Sequence, residues 1–256
     1  MVETAQQGGV LTLTLNRPEV GNALNDEVAR AVADALGRAA ADPAVRVVVL
    51  AGAGRHFCAG ADIGYMQRSR HATREENLAD AQATQRLFAA VAELPRPVVA
   101  RVHGAARGGG VGLVAAADVV VAADGVTFAF TEVRLGIVPA MISPFVIERL
   151  GPARARRLFL TGESFGAADA LAWGLVDRVV PAAGLDAAVA AVAADLVKGG
   201  PQALAETKAL VREVTSTPRA EVGARTAARI ARLRASDEGQ EGLTAFLEKR
   251  PPRWVP

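Results

Sequence analysis

The chain has 256 residues, 51% of them apolar, and its 29 basic residues are nearly balanced by 27 acidic ones. That is enough for one large α/β domain with its own core, and a net charge of +2 gives the chain as a whole no electrostatic reason to seek a polyanion. A single cysteine, Cys58, excludes an intramolecular disulfide and a multi-cysteine metal cage, and His56, His71 and His103 lack zinc-ligand spacing, so no metal is expected. Residues 1–9 have neither a basic start nor an apolar run of signal-peptide type, and later apolar runs are cut by Asp118, Asp124, Asp186 and Asp195. A cytoplasmic location without a membrane segment is expected.

In chain order, Leu11, Leu13 and Leu15 alternate with polar residues, which predicts a half-buried strand broken by Asn16-Arg17-Pro18. Asp26 is expected to cap a helix whose apolar stripe is Val28, Val32, Ala35 and Leu36. The continuous apolar run 45–50 predicts a strand covered on both faces, and 97–102, 119–122 and 176–180 repeat it. Helical patterns over 74–93, 144–150, 153–160 and 167–173 separate these runs. Strands alternating with helices imply right-handed crossovers and a largely parallel sheet. From Leu185 onward only helices are expected, over 185–198, 201–214, 219–234 and 237–249. Gly199-Gly200-Pro201 stops one helix and starts the next, which divides the chain into a core over 1–198 and a helical region over 199–256. So short a helical region buries little by itself and is expected to pack on the core or on another subunit.

Two glycine-rich stretches carry the chemistry: Phe57-Cys58-Ala59-Gly60-Ala61-Asp62 and Gly108-Gly109-Gly110, each following an apolar run that reads as a strand. Glycine admits close backbone approach, and a helix N-terminus leaves its first amides unpaired and partly positive. Two such amides aimed at one oxygen make an oxyanion hole, suited to a thioester or other carbonyl. For proton transfer the candidate is Glu132, a lone carboxyl group in Phe128-Ala129-Phe130-Thr131-Glu132-Val133. An apolar surround would raise its pKa toward neutrality. The competing reading is a first-turn glutamate satisfying helix amides, with Thr131 as the cap.

Other motifs carry less. Gly110-Val111-Gly112-Leu113-Val114-Ala115 fits a dinucleotide-binding pattern, but the next strand starts near Asp118, leaving about two turns of helix where a full crossover is needed. Gly162-Glu163-Ser164-Phe165-Gly166 fits a hydrolase nucleophile elbow, yet all three histidines precede Ser164 and a helical run leads into it, so it reads as a helix-to-helix turn. Cys58 reads as a small core residue, with His56 too near in sequence to serve as its base. Arg225, Arg229 and Arg232 share one side of a helix and read as a solvated face, against a phosphate-bearing ligand, a subunit contact or nucleic acid. Eight phenylalanines, two tryptophans and one tyrosine offer no stacking platform beside them, and nucleic acid is not expected.

The segments 57–63, 103–113, 128–139 and 241–250, with Asn16-Arg17-Pro18, Asn22-Ala23-Leu24 and Leu160-Thr161-Gly162, resemble the enoyl-CoA hydratase/isomerase (crotonase) family nearly end to end. The resemblance implies an α/β fold, a spiral of ββα repeats with a helical C-terminal trimerisation region, assembled as a homotrimer or a dimer of trimers. It implies an acyl-CoA thioester as substrate and no cofactor beyond it. Ala61 and Gly109 match the oxyanion-hole positions and Glu132 the catalytic glutamate. Ala59, Gly60, Asp62 and Ile63 match the adenine and pantetheine path, Gly108, Met141 and Phe246 further substrate-facing positions, and Lys249 a lysine that approaches the CoA phosphates. Gly112 stands where hydratases of the family usually carry a second glutamate. The segment Pro139-Ala140-Met141-Ile142-Ser143 looks most like the branch handling methylglutaconyl-type or terpenoid-derived enoyl thioesters. The implied reaction is hydration of a 2-enoyl-CoA through Glu132, with Tyr65, Asp62 or a substrate carboxylate as stand-ins for the second acid. The alternative is isomerisation of a 3-enoyl-CoA to the 2-enoyl form, for which one carboxylate suffices.

Overall fold

A computed structural model describes residues 1–255. In chain order the elements are β1 (Val2–Gln7), β2 (Val10–Leu15), α1 (Asp26–Ala41), β3 (Val47–Gly52), α2 (Ile63–Ser69), α3 (Arg74–Glu93), β4 (Val98–Val102), β5 (Ala105–Arg107), α4 (Gly109–Ala116), β6 (Val119–Ala123) and β7 (Thr127–Ala129). There follow α5 (Ser143–Leu150), α6 (Pro152–Thr161), β8 (Ser164–Gly166), α7 (Ala167–Ala172), β9 (Arg178–Val180), α8 (Leu185–Val197), α9 (Pro201–Ser216), α10 (Arg219–Arg234) and α11 (Asp237–Leu247).

Six strands form one sheet in the order β1-β2-β3-β4-β6-β9, parallel throughout except for the β1–β2 hairpin. A second sheet, β5-β7-β8, pairs β5 with β7 in parallel and β7 with β8 antiparallel. The apolar run of β3 is continuous because both faces are covered. Val48 and Leu50 join the core shared with α1, α3 and α4, while Val47 and Val49 join the one under α8. Each such side chain, fully buried, stabilises the fold by roughly 1.5–3 kcal/mol.

Several local expectations are corrected. Asn25, in extended backbone, caps α1 by accepting from the Val28 amide, and Asp26 is instead the first helical residue, paired with Arg30 and Arg68. Residues 164–166 are not a helix-to-helix turn but strand β8, and the Ser164 hydroxyl donates to the Phe128 carbonyl at 3.2 Å, which ties it to β7. The arginine stripe is not a free solvated face. Arg229 is bound by Glu206 and Glu213 of α9, Arg232 by Glu206 at 2.7 Å, and Arg225 by Glu221 at 2.8 Å. Arg229 and Arg232 join α10 to α9, and all three guanidinium groups have their counter-charges already.

The last helices bury little: α9 and α10 have no buried residue. They are tied to the sheet by polar joints, with Lys208 on Asp118 at 2.6 Å and Arg46 donating to the Gly199 and Trp254 carbonyls at 2.7 and 2.9 Å. Among the described residues no helix is long and apolar enough to cross a membrane.

Candidate active site

After β3 the chain turns through Ala53 to His56 and then runs straight through the first glycine-rich stretch, held on both flanks. On one flank the Ala59 amide donates to Gly21 at 2.8 Å, Leu24 donates to the Gly60 carbonyl at 2.7 Å, and Asp62 donates to Leu24 at 2.9 Å. Gly60 and Asp62 both spend a backbone group on Leu24, so the Ala61 amide between them faces away from that residue. On the other flank Cys58 donates to Ala105 at 3.1 Å and accepts from Arg107 at 3.0 Å, which lays the stretch beside β5. From β5 the chain passes through Gly108 directly into α4.

The second glycine-rich stretch is pressed onto the first. A Cβ at Gly110 would lie 2.9 Å from the Cys58 Cβ, and one at Gly60 only 3.1 Å from the Arg107 carbonyl oxygen. Gly108 turns the chain with φ 46° and Gly109 is the first residue of α4, a position whose amide has no partner within the helix. Among the described residues, neither the Ala61 nor the Gly109 amide donates to a backbone carbonyl of another element. Beside Gly109 stand Leu24 and Phe88, which a Cβ there would meet at 3.0 and 3.6 Å.

Glu132 opens a short 3-10 turn after β7 and lays its carboxylate against the entry to α4: a Cβ at Gly108 would be 3.0 Å from Oε1. Its Oε2 is buried and has no hydrogen-bond partner among the described residues. Thr131 makes no side-chain cap, although Glu132 does stand in the first turn with its carboxyl against its own backbone N–H. Burial pushes the Glu132 carboxyl above its ordinary range, against the weaker opposing pull of its own backbone N–H. This is a carboxyl group kept close to glycine backbone and free to exchange a proton.

One turn further along α4 the surroundings reverse. A Cβ at Gly112 would meet the Ile142 Cβ and the Phe88 Cε1 both at 2.9 Å, with the Ile142 Cγ2 closer still. Ile142 and Phe88 are buried, and Phe145 packs on Phe88 with ring centroids 6.2 Å apart. Of the two side chains offered by the sequence as substitute acids, one is held as a charged carboxylate and the other stays a protonated phenol. Burial raises the Asp62 carboxyl, but the Tyr65 amide and Arg17 outweigh it and hold the group charged below its ordinary range. Burial and the nearby Asp80 push the Tyr65 phenol up.

The remaining expected residues are dispersed. Ala59 is exposed, Ile63 is 72% exposed at the start of α2, and Met141 packs half-buried against the main core next to Ile142. Phe246 lies in the last turn of α11, which packs on α10, and is 81% exposed, and Lys249 follows just beyond that helix. Cys58 is wholly buried with its thiol pushed up to about 12 by burial, as befits a core residue. A cavity of about 1030 Å³ lies elsewhere, between the β1–β2 hairpin and α8, and is lined by none of Ala61, Gly109 or Glu132. The sequence gives no sign that Leu24 and Phe88 stand beside Gly109 or that Phe88 and Ile142 close on Gly112, since an ordinary apolar residue in a helix or turn carries no signal of what it faces.

The sequence pattern of the family described as enoyl-CoA hydratase/isomerase matches residues 5–255. A protein of Thermus thermophilus provisionally named an enoyl-CoA hydratase is 38% identical over 250 residues, covering 97% of this chain and 98% of its own. Carnitinyl-CoA dehydratase of Escherichia coli K12 is 34% identical over 258 residues, covering 97% of this chain and 96% of its own. The crystal structure of an enoyl-CoA hydratase from Shewanella pealeana superposes with a TM-score of 0.96 at 35% identity, over 99% of this chain and 95% of that one. With two glycine-rich stretches in contact, a carboxyl group beside them, and these matches along almost its whole length, the chain belongs to the enoyl-CoA hydratase/isomerase (crotonase) family.

Proposed function

We propose that this protein adds water across the double bond of a 2-enoyl-CoA thioester, with Glu132 as its one working carboxylate. The observation that carries this reading is the buried, unpartnered Oε2 of Glu132 beside the first turn of α4. The amides of Ala61 and Gly109 hold the thioester oxygen, worth about 3–4 kcal/mol of barrier for each donor. Glu132 takes a proton from water as the water oxygen bonds to the β-carbon, and the double-bond electrons move to the carbonyl to give an enolate. It then returns that proton to the α-carbon, so a single carboxyl group serves both halves of the addition. The hydratase and dehydratase names of two relatives support water addition or removal as the reaction type.

Ala59, Gly60, Asp62 and Ile63 are assigned to the adenine and pantetheine path, with Gly108 beneath the reacting carbonyl. The Met141 and Ile142 wall supports a methylglutaconyl-type or terpenoid-derived acyl group. The region 199–256 is assigned to self-association as a homotrimer or a dimer of trimers. The exposure of Phe246 (81%), Leu247 (77%) and Leu243 (50%) supports this, since isolated surfaces seldom leave such groups together in water. Assembly would also give Phe246 and Lys249 a place near acyl chain and CoA phosphates.

A second reading, isomerisation of a 3-enoyl-CoA, is favoured by the closure of the Gly112 site, because moving a proton between two carbons needs only Glu132. Purified protein supplied separately with 2-enoyl and 3-enoyl thioesters decides. Formation of the 3-hydroxyacyl product from the first supports hydration. Conversion of the second to the 2-enoyl form with no hydroxyacyl product defeats hydration in favour of isomerisation.

A further inference from the structure

The Ala61 amide is aimed by a segment that itself lies outside the reacting group. We propose that Asn22 and Arg17 are positioning residues that set the direction of this amide, an inference that rests on the oxyanion role proposed for Ala61. Asn22 is 1% exposed and holds a left-handed backbone, φ 58°, which costs a side-chain-bearing residue free energy unless the surroundings demand it. The demand is visible. Its Nδ2 donates to the Ala53 carbonyl at 2.8 Å and to the His56 carbonyl at 2.7 Å, while its Oδ1 accepts from the Arg17 amide at 2.9 Å. These bonds clamp the turn between β3 and the first glycine-rich stretch. Gly52 is shaped to them, for a Cβ there would lie 2.9 Å from the Asn22 Nδ2.

Arg17 grips the other end. Its Nη2 pairs with Asp62 Oδ2 at 2.9 Å, its Nη1 donates to the Ala23 carbonyl at 3.0 Å, and both partners of the ion pair are largely shielded from solvent. Asp62 is the residue after Ala61 and also caps α2 through the Tyr65 amide at 3.2 Å. Between the two grips run the three backbone bonds to Gly21 and Leu24. Among the described residues, the backbone bonds and the ion pair on this flank of the stretch over 59–62 therefore come from residues 17–24. A planar guanidinium bonding Ala23 and Asp62 at once fixes an angle as well as a distance, which an ammonium group cannot do.

Misaiming a catalytic donor reduces turnover more than it reduces substrate binding. Asn22→Gly keeps the left-handed backbone without strain but removes the clamp, and Arg17→Met removes the other grip while Arg17→Lys restores only its charge. For Asn22→Gly and Arg17→Met we expect kcat to fall on the order of 100-fold with KM little changed, and Arg17→Lys to recover only part of the loss. The readout that a merely structural role would not move is the thioester C=O stretch of a 2-enoyl-CoA bound to the inactive Glu132→Gln protein. That band should lie below its free position, and adding Asn22→Gly or Arg17→Met should return it toward the free value. Folded variants, by circular dichroism, that keep kcat within about two-fold and leave the band unmoved overturn the positioning role. If the band shows no lowering even in Glu132→Gln alone, it is the oxyanion reading of Ala61 that fails.

Discussion

At the first turn of α4 a carboxylate oxygen of Glu132 lies buried without a partner beside Gly108, whereas beside Gly112, on the same helix, the space is filled by Ile142 and Phe88. Glycine is required at both places for opposite reasons. At 108 it lets a polar group approach the backbone; at 112 it lets apolar side chains exclude one. An unsatisfied buried polar atom costs stability and is kept where chemistry needs it, while close apolar packing contributes stability and forecloses chemistry. On the proposed reading, the contrast describes a site built for one carboxylate rather than a two-carboxylate site with one member deleted.

The largest test of the contrast removes its polar half. Glu132→Gln keeps shape but cannot carry a proton, and turnover is expected to fall on the order of 10²–10⁴-fold. In the unaltered protein kcat/KM should decline as pH falls through a value above 4.5, the ordinary glutamate value, because burial raises the Glu132 carboxyl and its basic form is the working one. A profile flat through that region would remove Glu132 as the base.

A smaller effect tests the packed half. Gly112→Ala should destabilise the fold by about 1–3 kcal/mol in urea denaturation, since the new Cβ meets Ile142 and Phe88 inside normal contact distance. In an Ile142→Ala background the same change should cost less, because the nearest Ile142 atom, Cγ2, is gone. Equal costs in the two backgrounds would show that Ile142 does not close this site. It also follows that Gly112→Glu alone will not install a second acid.

Much of this was legible beforehand, and the reasons are physical. The helices over 74–93 and 219–234 coincide with α3 and α10 because long amphipathic periods leave little freedom. Strands β5, β7 and β8 are three residues each, too short for alternation to register, and β1 is an exposed edge whose polar residues hide it. Glu132 stood out as the one carboxyl among aromatics. The Asn22 clamp did not, because its partners Ala53 and His56 lie 31 and 34 positions away and only the fold brings them close. Asp26 reads as a cap from sequence, but Asn25, an equally competent capping residue, precedes it directly and takes the role. The closure at Gly112 was invisible for a similar reason: an absent side chain says nothing about what occupies its place.

The smallest expected effect joins the two halves of the contrast in one variant. Glu132 has a folded-state pKa raised above its unfolded one by burial. Between the two values the folded chain binds more protons than the unfolded chain, so its stability falls as pH rises through that window. Above the raised value the full penalty is present, and below the ordinary 4.5 it is absent. Glu132→Gln carries no charge at any pH, so at neutral pH it should unfold at a slightly higher denaturant concentration than the unaltered protein. At pH values below the ordinary glutamate range the two should unfold together. A variant that is less active, yet more stable only where Glu132 would be ionised, places the cost of the site on that carboxylate. A gain that persisted unchanged into acid would have to come from packing, and the polar half of the site would then be no more strained than the apolar half.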